Sequence, residues 1–148
     1  MTSLHVIFKV GAAEYVLPAS DVLQMESFAG ATPVPGARPY VLGIIHVRGR
    51  VVPVVDLRVR FGLPPIAATL DSRVVVAELA GRTVGLLADS AREVVKLTPD
   101  QLQAPPEMMT AQGANGFVKS VAHVQKRLLM MLDFAKVIGE ESLHVSER

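Results

Sequence analysis

The stretch from Pro33 to Leu63 reads PVPGARPYVLGIIHVRGRVVPVVDLRVRFGL, and it decides the fold of this 148-residue chain. It begins with a turn rich in Pro and Gly, because proline fixes φ and cannot continue a helix. Two runs rich in β-branched residues follow, Val41–Val47 and Val51–Val55, and Arg48-Gly49-Arg50 separates them. This pattern predicts a β-hairpin with an arginine-bearing tip.

An aspartate follows this hairpin. Asp56 ends the second strand, and Asp is a favoured N-cap residue for a helix. The next residues, 57–61, can form about one and a half helical turns before Gly62 ends them. Asp133 stands in the same position before a second short helix that runs through Ile138. Asp56 and Asp133 are therefore predicted to be structural caps of two equivalent helices.

The composition limits the class of protein. Half of the residues are apolar, few are aromatic, and the net charge is +1. This argues against disorder and gives no reason to expect a polyanionic partner. The chain has no cysteine, which excludes disulfides and thiolate metal sites. Its first residues lack a signal-peptide pattern, and no apolar run approaches the roughly 18 residues of a membrane span. We expect a cytoplasmic protein without direct membrane insertion.

The chain repeats part of its own sequence. The segment 46–57 resembles the segment 123–134 at a constant offset of 77 residues. Four positions are identical in the two segments: His46 and His123, Val47 and Val124, Arg50 and Arg127, Asp56 and Asp133. The hairpin predicted at 6–17 likewise resembles 74–86, at an offset of about 68. The repeat favours two half-domains of about five strands, each a small barrel, related by a pseudo-twofold axis.

Three further segments have less regular sequence patterns, and each gives its own secondary-structure prediction. The residues from Ala19 to Phe28 fit either a helix or a strand, because their periodicity is mixed. Thr98-Pro99 has the form of a helix start. The residues 101–116, which include two prolines and Gly113, are expected to form a long surface loop.

No catalytic or metal-binding motif is present. The sequence lacks Gly-rich phosphate loops and His-Glu-x-x-His, its four histidines are scattered, and no serine lies in a nucleophile elbow. Asp56 and Asp89 are the candidate catalytic acids, but their positions at strand ends favour capping roles. The missing motifs weigh against enzyme activity, a cofactor and a metal site, and a small enzyme that uses Asp56, Asp89 and a histidine stays as an alternative.

The basic residues Arg48, Arg50, Arg58 and Arg60 form the one cluster of positive charge. They fit a solvated surface or a rigid hairpin that recognises a protein. A small nucleic-acid-binding β-barrel protein is the alternative, although only Tyr40 and Phe61 are near enough to stack on bases.

The segments V34-P35-G36 and V41-L-G-I-I-H-V-R-G-R-V-V-P-V-V-D-L-R58 closely resemble the core motif of the chemotaxis coupling protein family, CheW. Residues 84–89 and 128–134 also match its pattern, and the resemblance extends from about His5 to Gly139. It implies a mainly β fold of two SH3-like five-stranded barrels with short helices. Residues 1–148 would form a single CheW-like domain whose two barrel subdomains are intertwined.

The same resemblance implies a function. Members of the family are non-catalytic scaffolds in two-component chemotaxis signalling. They join the cytoplasmic tip of methyl-accepting chemotaxis receptors to the regulatory domain of the histidine kinase CheA, at membrane-associated receptor arrays. Nucleic acid is not among the partners that it implies.

Site residues follow from the resemblance position by position. Receptor binding is expected at Gly43, Arg48, Ser90 and Ala91, and kinase binding at Val22 and Met25. The chain departs from the family pattern where Gln24 replaces a common Glu and where Ser90 replaces a common Gly.

Overall fold

The computed structural model describes residues 2–106 and 114–139. The described chain is mainly β, with two short α-helices and three 3-10 turns. The strands are β1 (Ser3–Val10), β2 (Ala13–Pro18), β3 (Val22–Ser27), β4 (Val41–Val47), β5 (Arg50–Asp56), β6 (Arg73–Leu79), β7 (Arg82–Ala88), β8 (Ser90–Leu97), β9 (Leu102–Gln103), β10 (Val118–Val124) and β11 (Arg127–Leu132). The helices are α1 (Leu57–Arg60) and α2 (Phe134–Ile138).

The strands form two sheets. The six-stranded sheet has the order β8-β1-β2-β11-β10-β9, and the five-stranded sheet has the order β3-β6-β7-β5-β4. All neighbours are antiparallel except β2 with β11 and β7 with β5, which are parallel. The predicted fold class, mainly β with two units of about five strands and short helices, is confirmed, and β9 adds a sixth strand to the larger sheet.

The two sheets repeat each other strand for strand. Five strands of the larger sheet, β8-β1-β2-β11-β10, correspond in order and direction to β3-β6-β7-β5-β4 of the smaller sheet. Equivalent hydrogen bonds recur 77 residues apart. The Asp56 N–H donates to the Tyr40 carbonyl at 2.8 Å, and the Asp133 N–H donates to the Phe117 carbonyl at 2.7 Å. The internal repeat read from the sequence is therefore present in the structure.

The sheets do not coincide with the two halves of the sequence. The first hairpin, β1–β2, joins the sheet of the last hairpin, β10–β11, whereas the hairpin β6–β7 joins the sheet of β4–β5. Each half of the chain thus contributes strands to both sheets.

Each sheet is closed by the segment that follows one of its edge strands, β3 in the smaller sheet and β8 in the larger one. In the smaller sheet, the Thr32 N–H donates to the Ile44 carbonyl at 2.9 Å, and the Ile44 N–H donates to the Thr32 carbonyl at 2.8 Å. In the larger sheet, β9 pairs Gln103 with Val121, the repeat equivalent of Ile44. Leu102 and Gln103 were predicted to lie in a loop. Their strand pairing was missed because it depends on a partner that is distant in sequence. Residues 107–113 of that predicted loop lie outside the described residues.

The apolar core has three parts. One cluster inside the larger sheet includes Ile7 and Leu129, and one inside the smaller sheet includes Val52 and Val76. The largest cluster contains residues of both sheets and of both α-helices. Its members are Phe8, Val10, Leu17, Val55, Leu57, Phe61, Val75, Ala77, Val84, Leu86, Ala88, Ala91, Leu132, Phe134, Val137 and Ile138. The two sheets therefore share one apolar interior, whose burial from water is the main stabilising term.

The ambiguous segment 19–28 is resolved by pairing. Ala19–Asp21 form a 3-10 turn, and β3 follows as an edge strand that pairs with β6. The predicted helix start at Thr98 becomes a single 3-10 turn, Pro99–Gln101, in which the Gln101 side chain accepts from the Thr98 N–H at 2.8 Å.

Candidate protein-binding surface

The β4–β5 tip is a two-residue turn that presents Arg48. Arg48 and Gly49 both have positive φ, 52° and 79°, as a type I′ hairpin turn requires. The Arg48 side chain is exposed, and no described residue forms a hydrogen bond or an ion pair with it. The turn thus holds a positive charge at the end of a rigid hairpin, where it can meet a partner.

Gly43 is required by the protein's own backbone. Its φ is +148°, and a Cβ added there would lie 2.1 Å from the Thr32 carbonyl oxygen. This close approach belongs to the two hydrogen bonds that close the smaller sheet. A role for Gly43 in receptor binding remains a prediction, and it now has to be separated from this structural requirement.

The β3 edge exposes a different apolar pair from the one expected. Val22 is half-buried and packs against the core cluster shared by both sheets. Met25 is 41% exposed, and Leu23, which sequence reasoning did not single out, is 47% exposed. The strand alternates from Val22 to Ser27, so Leu23 and Met25 share the solvent-facing side. The alternation was visible in the sequence, but which face was solvated depended on the pairing with β6.

Ser90 and Ala91 lie at the start of β8, in the other sheet from Gly43 and Arg48. Ser90 is half-buried and pairs with Lys9, while Ala91 is only 6% exposed and belongs to the shared core. The Ala91 side chain is therefore not available for a direct contact, because it is already packed inside the protein.

A groove of about 490 Å³ lies between the end of β3 and strand β4. It is lined by residues 26–32 and 44–47. Its lining includes Ala31, Thr32, Ile45 and the exposed His46. The groove lining ends at Val47, which directly precedes Arg48 in the chain.

Asp56 and Asp133 lie at the N-cap positions of α1 and α2. The Asp56 carboxylate accepts from the Arg58 N–H at 3.0 Å, and the Asp133 carboxylate accepts from the Lys136 N–H at 3.3 Å. These contacts agree with the predicted capping role of both residues.

Asp89 was expected to be a cap, but the structure gives it a different function. It accepts two hydrogen bonds from the Arg58 guanidinium, each 2.9 Å long, and one from the Gly11 N–H at 2.8 Å. Burial acts to raise the pKa of the Asp89 carboxyl, but its hydrogen bonds to Arg58 and Gly11 outweigh burial and hold that pKa below its usual value. Asp89 therefore ties the first hairpin turn to helix α1.

Comparison with known proteins identifies the family. A family model described as a CheW-like domain matches residues 4–142. The chain belongs to this family. It is 30% identical over 137 residues to the chemotaxis protein CheW of Bacillus subtilis strain 168, covering 93% of this chain and 87% of that protein. It is 32% identical over 134 residues to the chemotaxis protein CheW of Thermotoga maritima, covering 90% and 80%. The crystal structure of the scaffolding protein TtCheW from Thermoanaerobacter tengcongensis matches with a TM-score of 0.86 at 26% identity, covering 96% of each chain.

The basic cluster of this CheW-like chain is not one surface. Arg58 is paired with Asp89, and Arg60 donates to the Val137 carbonyl at 2.7 Å and the Lys136 carbonyl at 2.9 Å. Arg50 donates to the Thr83 hydroxyl at 3.0 Å. Three of the four arginines therefore donate to acceptors elsewhere in the chain, which the sequence could not show because these acceptors are 31 to 77 residues away.

Within this CheW-like fold, no group of three or more His, Cys, Asp or Glu residues in the described ranges could hold a metal ion. No helix among the described residues is long and apolar enough to cross a membrane.

Proposed function

We propose that this CheW-like chain is a non-catalytic adaptor that couples chemoreceptors to the histidine kinase CheA in chemotaxis signalling. The observation that carries the proposal is membership of the CheW-like family across residues 4–142, together with a rigid hairpin that presents Arg48 to solvent. The relatives are named as chemotaxis and scaffolding proteins. The chain acts in the cytoplasm, at receptor arrays.

We assign the two partners to different parts of the surface. The Arg48 turn faces the receptor tip, because the backbone of this rigid two-residue turn does not have to be ordered on binding. The β3 edge faces the kinase regulatory domain through Leu23 and Met25, which together form an exposed apolar pair. Ser90, which is half-buried, is also assigned to the receptor side. Residues 1–148 act as one domain, because the two sheets share a core cluster.

The nucleic-acid alternative has little support. It relied on four arginines acting together, but Arg58 and Arg60 bind acceptors within the chain. A phosphate backbone would have only the hairpin tip left to contact among these four residues.

The test is reconstitution of kinase activation. Receptor-containing membranes and CheA are mixed with or without the chain, and kinase autophosphorylation and co-sedimentation are measured. We expect the chain to raise autophosphorylation and to enter the pellet with both partners. Arg48→Glu should reduce both signals, whereas Lys119→Glu, which reverses one exposed charge on β10, should not. A chain that neither pellets with receptor membranes nor changes kinase activity is not this adaptor.

A further inference from the structure

The two hairpins related by the repeat, β4–β5 and β10–β11, each have an arginine at the same position. Arg50 begins β5 and pairs with Val47, and Arg127 begins β11 and pairs with Val124. The two arginines are 77 residues apart, as are all equivalent positions of these hairpins. The hydrogen-bond acceptors around the two guanidinium groups can therefore be compared position by position.

Arg127 is surrounded by acceptors. It donates two hydrogen bonds to Glu14, at 3.0 and 2.6 Å, and two to Glu93, at 2.8 and 3.2 Å. Its side chain is 35% exposed. The hydrogen bond from Arg127 is the main reason why the pKa of the Glu14 carboxyl lies below its usual value. Two carboxylates from strands β2 and β8 thus accept four hydrogen bonds from this guanidinium, in the bidentate geometry that arginine favours.

The equivalent carboxylates are absent around Arg50. The strand registers place Thr83 where the other sheet has Glu14, and Gln24 where it has Glu93. Arg50 donates one hydrogen bond to Thr83, and the Gln24 amide is directed to Glu26. Arg50 is exposed, and no carboxylate of the described residues pairs with it. Neighbouring Val51 is 56% exposed, so the arginine borders an apolar surface.

We propose that Arg50 is a binding residue for a carboxylate of an acidic protein partner, which takes the place that Glu14 and Glu93 fill around Arg127. The inference deepens the proposed function, since the partner is one of the two signalling proteins. A carboxylate is favoured over a phosphate because the same strand arrangement is built around carboxylates in the other half. A protein is favoured over a nucleic acid because exposed Val51 lies beside the charge and Arg58 and Arg60 are engaged internally.

The first test uses the repeat itself. Thr83→Glu restores the carboxylate of the other half, so Arg50 should gain a partner within its own chain. The variant is made in a Glu78→Gln background, because Glu78 lies directly opposite Thr83, whereas Lys9 lies opposite Glu14 in the other sheet. We expect a higher unfolding midpoint for Thr83→Glu, and we expect the gain to vanish in the Thr83→Glu/Arg50→Ala double variant. A gain that persists without Arg50, or no gain at all, would show that the site does not take a carboxylate.

The second test is binding. The receptor tip fragment and the kinase regulatory domain are titrated with the unmodified chain, Arg50→Glu, Thr83→Glu and Lys119→Glu, at low and at physiological salt. Arg50→Glu and Thr83→Glu should each lower the affinity for one of the two partners about tenfold, close to 1.4 kcal/mol. Lys119→Glu should lower the affinity for neither partner. Equal affinities for Arg50→Glu and Lys119→Glu with both fragments would overturn the inference.

Two further probes separate the outcomes. If Arg50→Glu weakens only the binding of an oligothymidylate, the site is a nucleic-acid contact and the inference is wrong. If the unmodified chain binds neither protein fragment, the proposed function has failed. In that case, retention on immobilised poly-L-glutamate at low salt decides the inference. Retention that requires Arg50 supports it, and retention that is absent or independent of Arg50 overturns it.

Discussion

Arg60 donates a hydrogen bond of 2.7 Å to the carbonyl of Val137, and these two residues occupy the same position of the internal repeat. The guanidinium carbon also lies 3.9 Å from the ring centre of Tyr40 and 4.8 Å from that of Phe117, which are equivalent residues themselves. The Arg60 side chain of α1 therefore contacts the equivalent helix α2. It also contacts the two equivalent aromatic residues that precede strands β4 and β10. This contact lies where the pseudo-symmetric halves meet.

Arg60→Met should destabilise the protein, because two carbonyls of the α2 helix would lose a charged donor while the apolar stem is kept. We expect a loss of about 1.5–3 kcal/mol in the free energy of unfolding by urea. Arg60→Lys is the matched control, since it keeps the charge but cannot donate in the same planar geometry, and it should recover part of the loss. Full stability in Arg60→Met would mean that the contact contributes nothing.

Asp56→Ala and Asp133→Ala should each lower the free energy of unfolding by about 0.5–2 kcal/mol, because each removes an N-cap acceptor. Asp56 is 7% exposed and its hydrogen bond is shorter, so its replacement should cost more than that of Asp133. The Asn variants, which keep a capping oxygen, are the controls. An unchanged unfolding midpoint together with lost partner binding in Asp56→Ala would replace the capping role with a contact role.

Gly43→Ala should destabilise the smaller sheet more than Gly49→Ala. Both glycines have positive φ, but only at Gly43 does an added Cβ meet a backbone atom, 2.1 Å away at Thr32. At Gly49 there is open space, and about 1 kcal/mol of backbone strain is expected. We expect at least about 2 kcal/mol at Gly43, measured by urea unfolding. Equal losses in the free energy of unfolding at the two positions would show that the backbone at Thr32 moves away from the added Cβ at little cost.

Acid should destabilise the protein through Asp89 and Glu14. Both carboxyls have a pKa below the usual value in the folded state, so the unfolded chain binds protons more readily. Their contribution is complete above the unfolded pKa, about 4, and is lost as pH falls through the lower folded pKa. Unfolding midpoints from neutral pH to about pH 3 should show a shallower fall for Asp89→Asn than for the unmodified chain. Glu78→Gln, at a strand position without an ion pair among the described residues, should leave the slope unchanged.

Arg48→Ala should weaken binding of the receptor tip fragment and leave the thermal midpoint unchanged, because Arg48 has no partner among the described residues. The double variant Leu23→Ser/Met25→Ser should instead weaken binding of the kinase regulatory domain, since it removes the exposed apolar pair of the β3 edge. Paired titrations of both variants against both fragments provide the measurement. Equal losses for both partners in Arg48→Ala, with a lower midpoint, would show that Arg48 supports the fold and does not read the receptor.

Local sequence patterns predicted most of the strands and both caps. The hairpin at 41–55, for example, follows from β-branched runs around a turn that needs positive φ. Its repeat at 118–132 follows from identities such as Arg50 with Arg127. The sequence could not predict the contacts of residues that are identical in the two repeats. Arg127 binds two carboxylates and Arg50 binds one hydroxyl, because their neighbours come from strands far away in sequence.

The sequence by itself determined the mainly β class, the twofold repeat, the capped helices and the family. These depend on local propensity and on spacing, which are carried by neighbouring residues. Only the tertiary structure decided that the first hairpin joins the sheet of the last one, that Gly43 lies against Thr32, and that Asp89 pairs with Arg58. The reason is physical: pairing between distant strands is selected by burial of the shared core, and no local segment encodes which edge its hairpin will meet.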